Sequence, residues 1–266
     1  MKTPRDNPHA PPETTTRQTI IEVCQRVYAH GWLAATDGNA SVLLDDNRII
    51  ATPTGMHKGF MSEHDLIAID RKGRVLQGSS PPSSEIEMHL AVYDERPDIR
   101  AVLHAHPTNC IALSVAGIRL EQCMLPEVVF TFGSIPTAAY TTPTTHEVPD
   151  EVRRWVREFD ALILERHGSV TIGKDLIDAY NKLERMEHVA EITFRARLLG
   201  TVQPLSCEQI TKLQRVGQDL GLPARKLLNS PCDPHCMYQT ATSPSDTDEL
   251  DIDELVRRVK KELESI

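Results

Sequence analysis

Residues 101–110 read AVLHAHPTNC, and the two histidines in that run restrict the fold more than any other stretch of the 266-residue chain. Successive side chains of a β-strand point to opposite faces, so in a strand His104 and His106 share one face. In a helix, residues two apart diverge by about 200° and cannot converge on one point. Val102 and Leu103 lead into the pair, which suits a buried strand running out into a polar site. One imidazole at such a place can be an ordinary core histidine. Two on one strand face begin to look like half of a metal site.

The sequence also holds the other half. LILERHG puts His167 at the end of a second apolar strand, with Gly168 letting the chain turn at once. PPSSEIEMH puts Glu85 in the first turn of a helix that Ser83 or Ser84 can cap. Three imidazoles and a carboxylate complete a tetrahedral set for Zn2+, with Mn2+ or Co2+ as substitutes. A carboxylate that can leave such an ion opens it to substrate and becomes a free base, so Glu85 is the catalytic candidate. Three short segments could hold a phosphate: DGNAS with Gly38, Asn39 and Ser41, TPTG with Thr54 and Gly55, PSSE with Ser83 and Ser84. Hydroxyls, an amide and exposed backbone N–H groups suit an oxyanion, and a helix N-terminus favours one. Taken singly, each is also a turn or capping signal.

The remaining pattern is α/β of layered (α+β) type: a single domain with a central, mostly antiparallel sheet flanked by helices. Residues 1–13 read as a loose arm. From Thr14 a helix is expected, with TTTRQ offering N-cap hydroxyls. A hairpin (Val42–Leu44 and Arg48–Ala51), a further strand pair in LIAID and RKGRVLQG, and the helix opened by Ser83 and Ser84 come next. The His-x-His strand leads to a short helix in NCIALSVAG, a strand in VVFTFG, a helix in EVPDEVRRWVREF, strands in ALILERHG and VTIG, and a long helix from Asp175 to Leu199. The folded part is taken as 14–228, followed by a Pro/Ser/Thr-rich linker over 229–249 and an amphipathic helix over 250–266. That helix docks either on its own domain or a sister subunit, or on a different protein.

A net charge of −9 and a pI near 5.7 argue against nucleic acid or an anionic membrane as the main partner. No run approaches the roughly 18 apolar residues of a membrane span. The first residues lack the apolar core of a secretory signal, so a cytoplasmic location is expected. The six cysteines (Cys24, Cys110, Cys123, Cys207, Cys232, Cys236) are scattered, and most are expected as free thiols. Cys232 and Cys236 flank His235 without a second ligand pair at finger spacing, so no zinc knuckle is expected there.

TDGNASV, ATPTGM, PPSSEIEMHLAVY, AVLHAHP and LILERHG stand in the order and spacing of the class II aldolase/adducin family, and the chain resembles its L-fuculose-1-phosphate aldolase branch from about Thr16 to Leu199. The resemblance implies that His104, His106 and His167 ligate zinc, and that Glu85 is a ligand at rest and acid/base in turnover. It implies that Gly38, Asn39, Thr54, Gly55, Ser83 and Ser84 hold a substrate phosphate, and that the enzyme is a homotetramer. The expected reaction is cleavage of a ketose 1-phosphate, such as L-fuculose or L-rhamnulose 1-phosphate, into dihydroxyacetone phosphate and L-lactaldehyde. The branch has a tyrosine that protonates the aldehyde oxygen, where this chain has Leu125. Glu127, Tyr140 and His146 are the candidate replacements. Rival readings are a pentulose-phosphate 4-epimerase, whose branch has Asp where Glu85 stands, a 5-deoxy- or methylthio-pentulose-1-phosphate aldolase, and a sugar-phosphate dehydratase or decarboxylase. A non-catalytic adducin-like module would lack the metal ligands that this chain retains. The C-terminal segment resembles the encapsulation peptides that bind bacterial microcompartment shell proteins.

Overall fold

Alternation along the strand Ala101–Ala105 sorts the molecule into layers. In this computed structural model, which describes residues 12–45, 47–230 and 232, Ala101, Leu103 and Ala105 join one hydrophobic cluster while Val102 joins another. The strands are β1 (Asn39–Asp45), β2 (Arg48–Ala51), β3 (Ile67–Ile69), β4 (Val75–Gln77), β5 (Ala101–Ala105), β6 (Thr137–Ala138), β7 (Ala161–Leu164) and β8 (Gly168–Gly173). They form one sheet in the order β4-β3-β2-β1-β5-β8-β7-β6, antiparallel throughout except for the β6–β7 pair. The helices are α1 (Glu13–Ala29), α2 (Ile86–Glu95), α3 (Thr108–Val115), α4 (Pro126–Thr131), α5 (Glu147–Val156), α6 (Leu176–Leu199) and α7 (Cys207–Asp219). Residues of α1, α3 and α6 share one cluster, and residues of α2 and α5 share the other. With both faces covered, inner strands such as ALIL are apolar without alternation. The layered α/β fold expected from the sequence is the observed one.

Several local expectations are corrected. VVFTFG is part of a helix, not a strand: Pro126 sits at the first helical position, where its fixed φ and missing N–H are tolerated. The helical spacing then turns Val128 and Phe132 to the main core and Val129 toward α7. The Thr14–Thr16 hydroxyls do not cap α1, which starts one residue earlier behind Pro12. Neither Ser83 nor Ser84 is the N-cap of α2. That position is Glu85, whose N–H donates to Ser83 Oγ at 3.2 Å. Of the five described cysteines, Cys24, Cys110 and Cys123 are free and buried, but Cys207 and Cys232 are joined in a disulfide. Cys236, the 233–249 part of the linker and the 250–266 helix lie outside the described residues, as do residues 1–11 of the arm.

Beyond α6 the chain returns to the core. Helix α7 opens on a capping box between Ser206 and Gln209 and buries Ile210 beside Cys123 and Val129. The extended run after it is tied down residue by residue. Arg225 reaches the buried Asp160 at 2.9 Å, Leu228 N–H donates to Ser134 Oγ at 2.8 Å, and Ser230 is buried. Gly133, with φ +73°, leaves the space this run needs, since a Cβ there would collide with the Lys226 carbonyl.

Candidate functional site

β5 lies between β1 and β8, and its alternation carries Val102, His104 and then His106 toward the α2 face. Register places Asn39 of β1 directly opposite His104. On the other side, the three-residue turn from β7 to β8 brings in His167. The turn does not depend on Gly168 for its handedness, contrary to expectation. Arg166 takes the left-handed conformation at φ 58°, with its N–H held by Ser114 Oγ at 3.0 Å. Gly168 is needed instead for space, because a Cβ would stand 2.6 Å from the Ala105 carbonyl and 2.8 Å from the His106 ring.

The three imidazoles converge, each offering a ring nitrogen within 4.8 Å of the others. His104 Nδ1 donates to the Ser169 carbonyl at 2.9 Å, and His106 Nδ1 faces Asp37 Oδ2 at 3.4 Å. With the proton of each ring on the Nδ1 that faces these acceptors, both Nε2 lone pairs turn toward each other, 3.1 Å apart. Two lone pairs at that distance call for an electrophile between them, so the residues present fit a divalent ion. Burial pushes both rings toward the neutral form that ligation needs. The pKa of His104 is lowered by its complete burial, partly opposed by Glu85, and that of His106 falls to about 4 through burial and its two histidine neighbours.

Glu85 closes the cluster from the start of α2. Its carboxylate lies 3.1 Å from His167 Nε2 and 3.4 Å from His104 Nε2, and it accepts from Asn39 Nδ2 at 2.9 Å. Burial opposes its ionisation, but His104 and the hydrogen bond from His167 outweigh that and hold it well below the usual carboxylate range. His104, His106, His167 and Glu85 are thus brought together as the sequence suggested.

The same cavity, about 220 Å³, is lined by all six candidate phosphate residues, Gly38, Asn39, Thr54, Gly55, Ser83 and Ser84. A bridge between Pro53 and Pro82, with Thr54 N–H donating to the Pro81 carbonyl at 3.1 Å, sets the TPTG loop beside PPSS. Gly38 takes φ +68°, and a Cβ there would run into Leu33 and into the His104 carbonyl at 2.8 Å. The candidates for a second acid are elsewhere. Leu125 packs on the core, and Glu127 lines a wider groove of about 1020 Å³ along α6. Tyr140 is exposed. His146 is exposed and paired with Glu87 at 3.0 Å, in a neighbouring cavity that shares only Ser84 and Glu85 with the site.

Lys58 and His89 escaped the sequence reading, as did Asp37, which faces His106. Lys58 lines the cavity, buried within an ordinary polar loop. His89 stands under Asn39: its Nε2 bonds Asn39 Oδ1, and its Nδ1 meets Ser41 Oγ at 2.7 Å, which in turn meets Tyr93 OH at 2.7 Å. This chain turns the Asn39 amide so that its NH2 faces Glu85 and Ser83. Burial depresses the His89 pKa to about 3. An unfolded histidine takes a proton near pH 6.5, so the unfolded state binds more protons than the folded one between those values. Stability contributed through His89 is therefore complete above about pH 6.5 and lost as pH falls, by up to ~1.4 kcal/mol per pH unit. His89→Gln should remove about one proton's worth of slope between pH 6 and 4 in urea unfolding; an unchanged slope would contradict a neutral, buried His89.

Comparison with known proteins places the chain in a family. An L-fuculose phosphate aldolase of Methanococcus maripaludis is 34% identical over 181 residues, covering 68% of this chain and 97% of that protein. A 3-oxo-tetronate 4-phosphate decarboxylase of Haemophilus influenzae is 32% identical over 183 residues, 67% of this chain and 86% of the other. The crystal structure of L-fuculose-1-phosphate aldolase from Thermus thermophilus superposes with a TM-score of 0.63 at 29% identity, covering 72% of this chain and 99% of that one. The family model for the class II aldolase and adducin N-terminal domain matches residues 18–194, which span every residue of the cavity, and the chain belongs to that family.

Proposed function

We propose that this cavity is the active site of a zinc-dependent lyase that cleaves a ketose 1-phosphate, with L-fuculose or L-rhamnulose 1-phosphate as the leading substrates. The observation that carries the reading is the convergence of three imidazoles and a carboxylate, of which His106, His167 and Glu85 line the cavity that the six uncharged phosphate candidates also line, with His104 buried behind them. His104, His106 and His167 would hold the ion, with Glu85 as the fourth ligand at rest; a three-nitrogen, one-oxygen donor set suits Zn2+ and also accepts Mn2+ or Co2+. When bound, the ion supplies Lewis-acid stabilisation of negative charge developing on the substrate.

The protein's own groups do the rest. The cradle of Gly38, Asn39, Thr54, Gly55, Ser83 and Ser84 anchors the phosphate and so positions the reacting carbons. Breaking the C3–C4 bond releases an aldehyde and leaves the electron pair on the three-carbon fragment. Glu85, once substrate displaces it from the imidazoles that hold it ionised, would take up a proton from solvent and give it to C3 to complete dihydroxyacetone phosphate, with Asn39 steering its carboxyl group. Cleavage also requires the proton of the C4 hydroxyl to leave. Since Glu127, Tyr140 and His146 stand outside the cavity, a neighbouring subunit of the proposed homotetramer is the source we favour for that second group. The proposed location is the cytoplasm, with the 250–266 segment docking on microcompartment shell proteins; deletion from residue 246 should then abolish shell association and spare activity.

A second reading rests on the Haemophilus influenzae relative: decarboxylation of a 3-oxo-tetronate 4-phosphate, which also leaves an electron pair beside a carbonyl. Purified protein should release dihydroxyacetone phosphate from one of the two sugar phosphates, measured through coupled NADH oxidation, and a chelator should stop it. Carbon dioxide from the oxo-acid, with no triose phosphate from either sugar, would reverse the order of the two readings.

A further inference from the structure

Lys58 is only 3% exposed, and its Nζ donates to two neutral acceptors, the carbonyls of Thr36 and Met56, each at 2.7 Å. An ammonium carries three donors, so one N–H is left over. Among the described residues no carboxylate lies within 4.0 Å of it. The other buried lysine among the described residues, Lys182, is paired with Asp160 at 3.2 Å and Asp178 at 3.0 Å. Among the described residues Lys58 has no carboxylate in direct contact, only Asp37 and Glu85 farther off on the same cavity wall, so its third N–H is free to meet an anion that enters the cavity.

The cavity explains what that anion is. Its cradle residues are all uncharged, and the fixed charges on its wall are the carboxylates of Asp37 and Glu85 and the ammonium of Lys58. A phosphate monoester carries close to two negative charges at neutral pH. Lys58 brings the fixed charge of that wall from −2 to −1 and is the cationic side chain among its lining residues.

We propose that Lys58 is the cationic anchor of this cavity, supplying the positive charge that lets the uncharged cradle hold a phosphate monoester. The inference rests on the sugar-phosphate reading and goes beyond it by making one buried lysine the determinant of affinity for the phosphorylated substrate. Removing a charge-assisted hydrogen bond corresponds to about 10- to 100-fold in affinity.

The test titrates inorganic phosphate into the zinc-loaded full chain by calorimetry, for wild type, Lys58→Gln, Lys58→Met and Ser83→Ala, with metal content and urea unfolding measured on each. Glutamine keeps a donor for the Thr36 and Met56 carbonyls and removes only the charge, so Lys58→Gln should bind phosphate at least about tenfold more weakly with metal content unchanged. If Ser83→Ala weakens phosphate binding while both lysine variants stay within about twofold of wild type, the inference falls and the sugar-phosphate reading stands. If the metal-loaded wild type binds no phosphate, both fall. If neither lysine variant folds, Lys58 is a brace for the Thr36 and Met56 loops and the inference is overturned.

Discussion

Glu85→Gln should lower turnover of the sugar phosphate by about 10²–10⁴-fold, the usual loss when a general acid–base group is removed. The substitution is nearly isosteric. The amide keeps an oxygen for Asn39 Nδ2, and two of the imidazoles are held by partners that do not involve Glu85: the Ser169 carbonyl for His104 and Asp37 for His106. Metal should therefore remain, bound more weakly for want of one ligand. Its retention, measured by elemental analysis, separates loss of the proton carrier from loss of the site. Turnover within a few-fold of wild type in a metal-replete Glu85→Gln protein would remove Glu85 from the chemistry.

Asp160→Asn should destabilise the fold by about 3–5 kcal/mol, far from the reacting groups. Asp160 is the buried centre of an ionic cluster: Arg96 at 3.1 Å, Lys182 at 3.2 Å and Arg225 at 2.9 Å. Neutralising it leaves three cations around a hole in the charge pattern, and an asparagine cannot accept from all of them. Burial raises the Asp160 pKa, but the three cations outweigh it and hold the carboxyl below its ordinary value. A depressed folded pKa gives stability that is complete above the unfolded value of about 3.9 and lost as pH falls through the folded one. Urea unfolding at pH 7 should display the full penalty, and the gap between Asp160→Asn and wild type should narrow in acid below about pH 4. A penalty under about 1 kcal/mol at pH 7 would mean the cluster relaxes or hydrates.

What could be read in advance follows the range of each signal. The period of two in HAH forced a shared strand face, and the observed Nε2 atoms meet there. His167 was legible because it ends an apolar strand and Glu85 because it opens a helix, but their approach to His104 is a matter of register that a single sequence does not carry. Lys58 was passed over because a lysine in a polar loop reads as solvated; only closure of the Thr36 and Met56 backbone around it makes it buried. His89 likewise looks like one more residue on an apolar helix until Asn39 is set above it. Val128, Val129 and Phe130 have the β-branched and aromatic character of a strand, and packing against α7 overrode that preference. Helix α7 went unread although Ser206 and Gln209 have capping-box spacing, and β6, at two residues, is too short for periodicity to register.

The four proposed ligands come from parts of the molecule that should open with different ease. His104 lies in a strand hydrogen-bonded on both sides within the middle of the sheet, so its backbone amide should exchange with solvent only on near-global unfolding. Glu85 sits at the unravelling end of a ten-residue helix, where amides exchange through small local openings. A brief excursion of the chain can thus withdraw the carboxylate and return it while the imidazoles keep their places. Inactivation by mild heat or denaturant should accordingly be reversible at first, and become irreversible only once the central strands themselves let go.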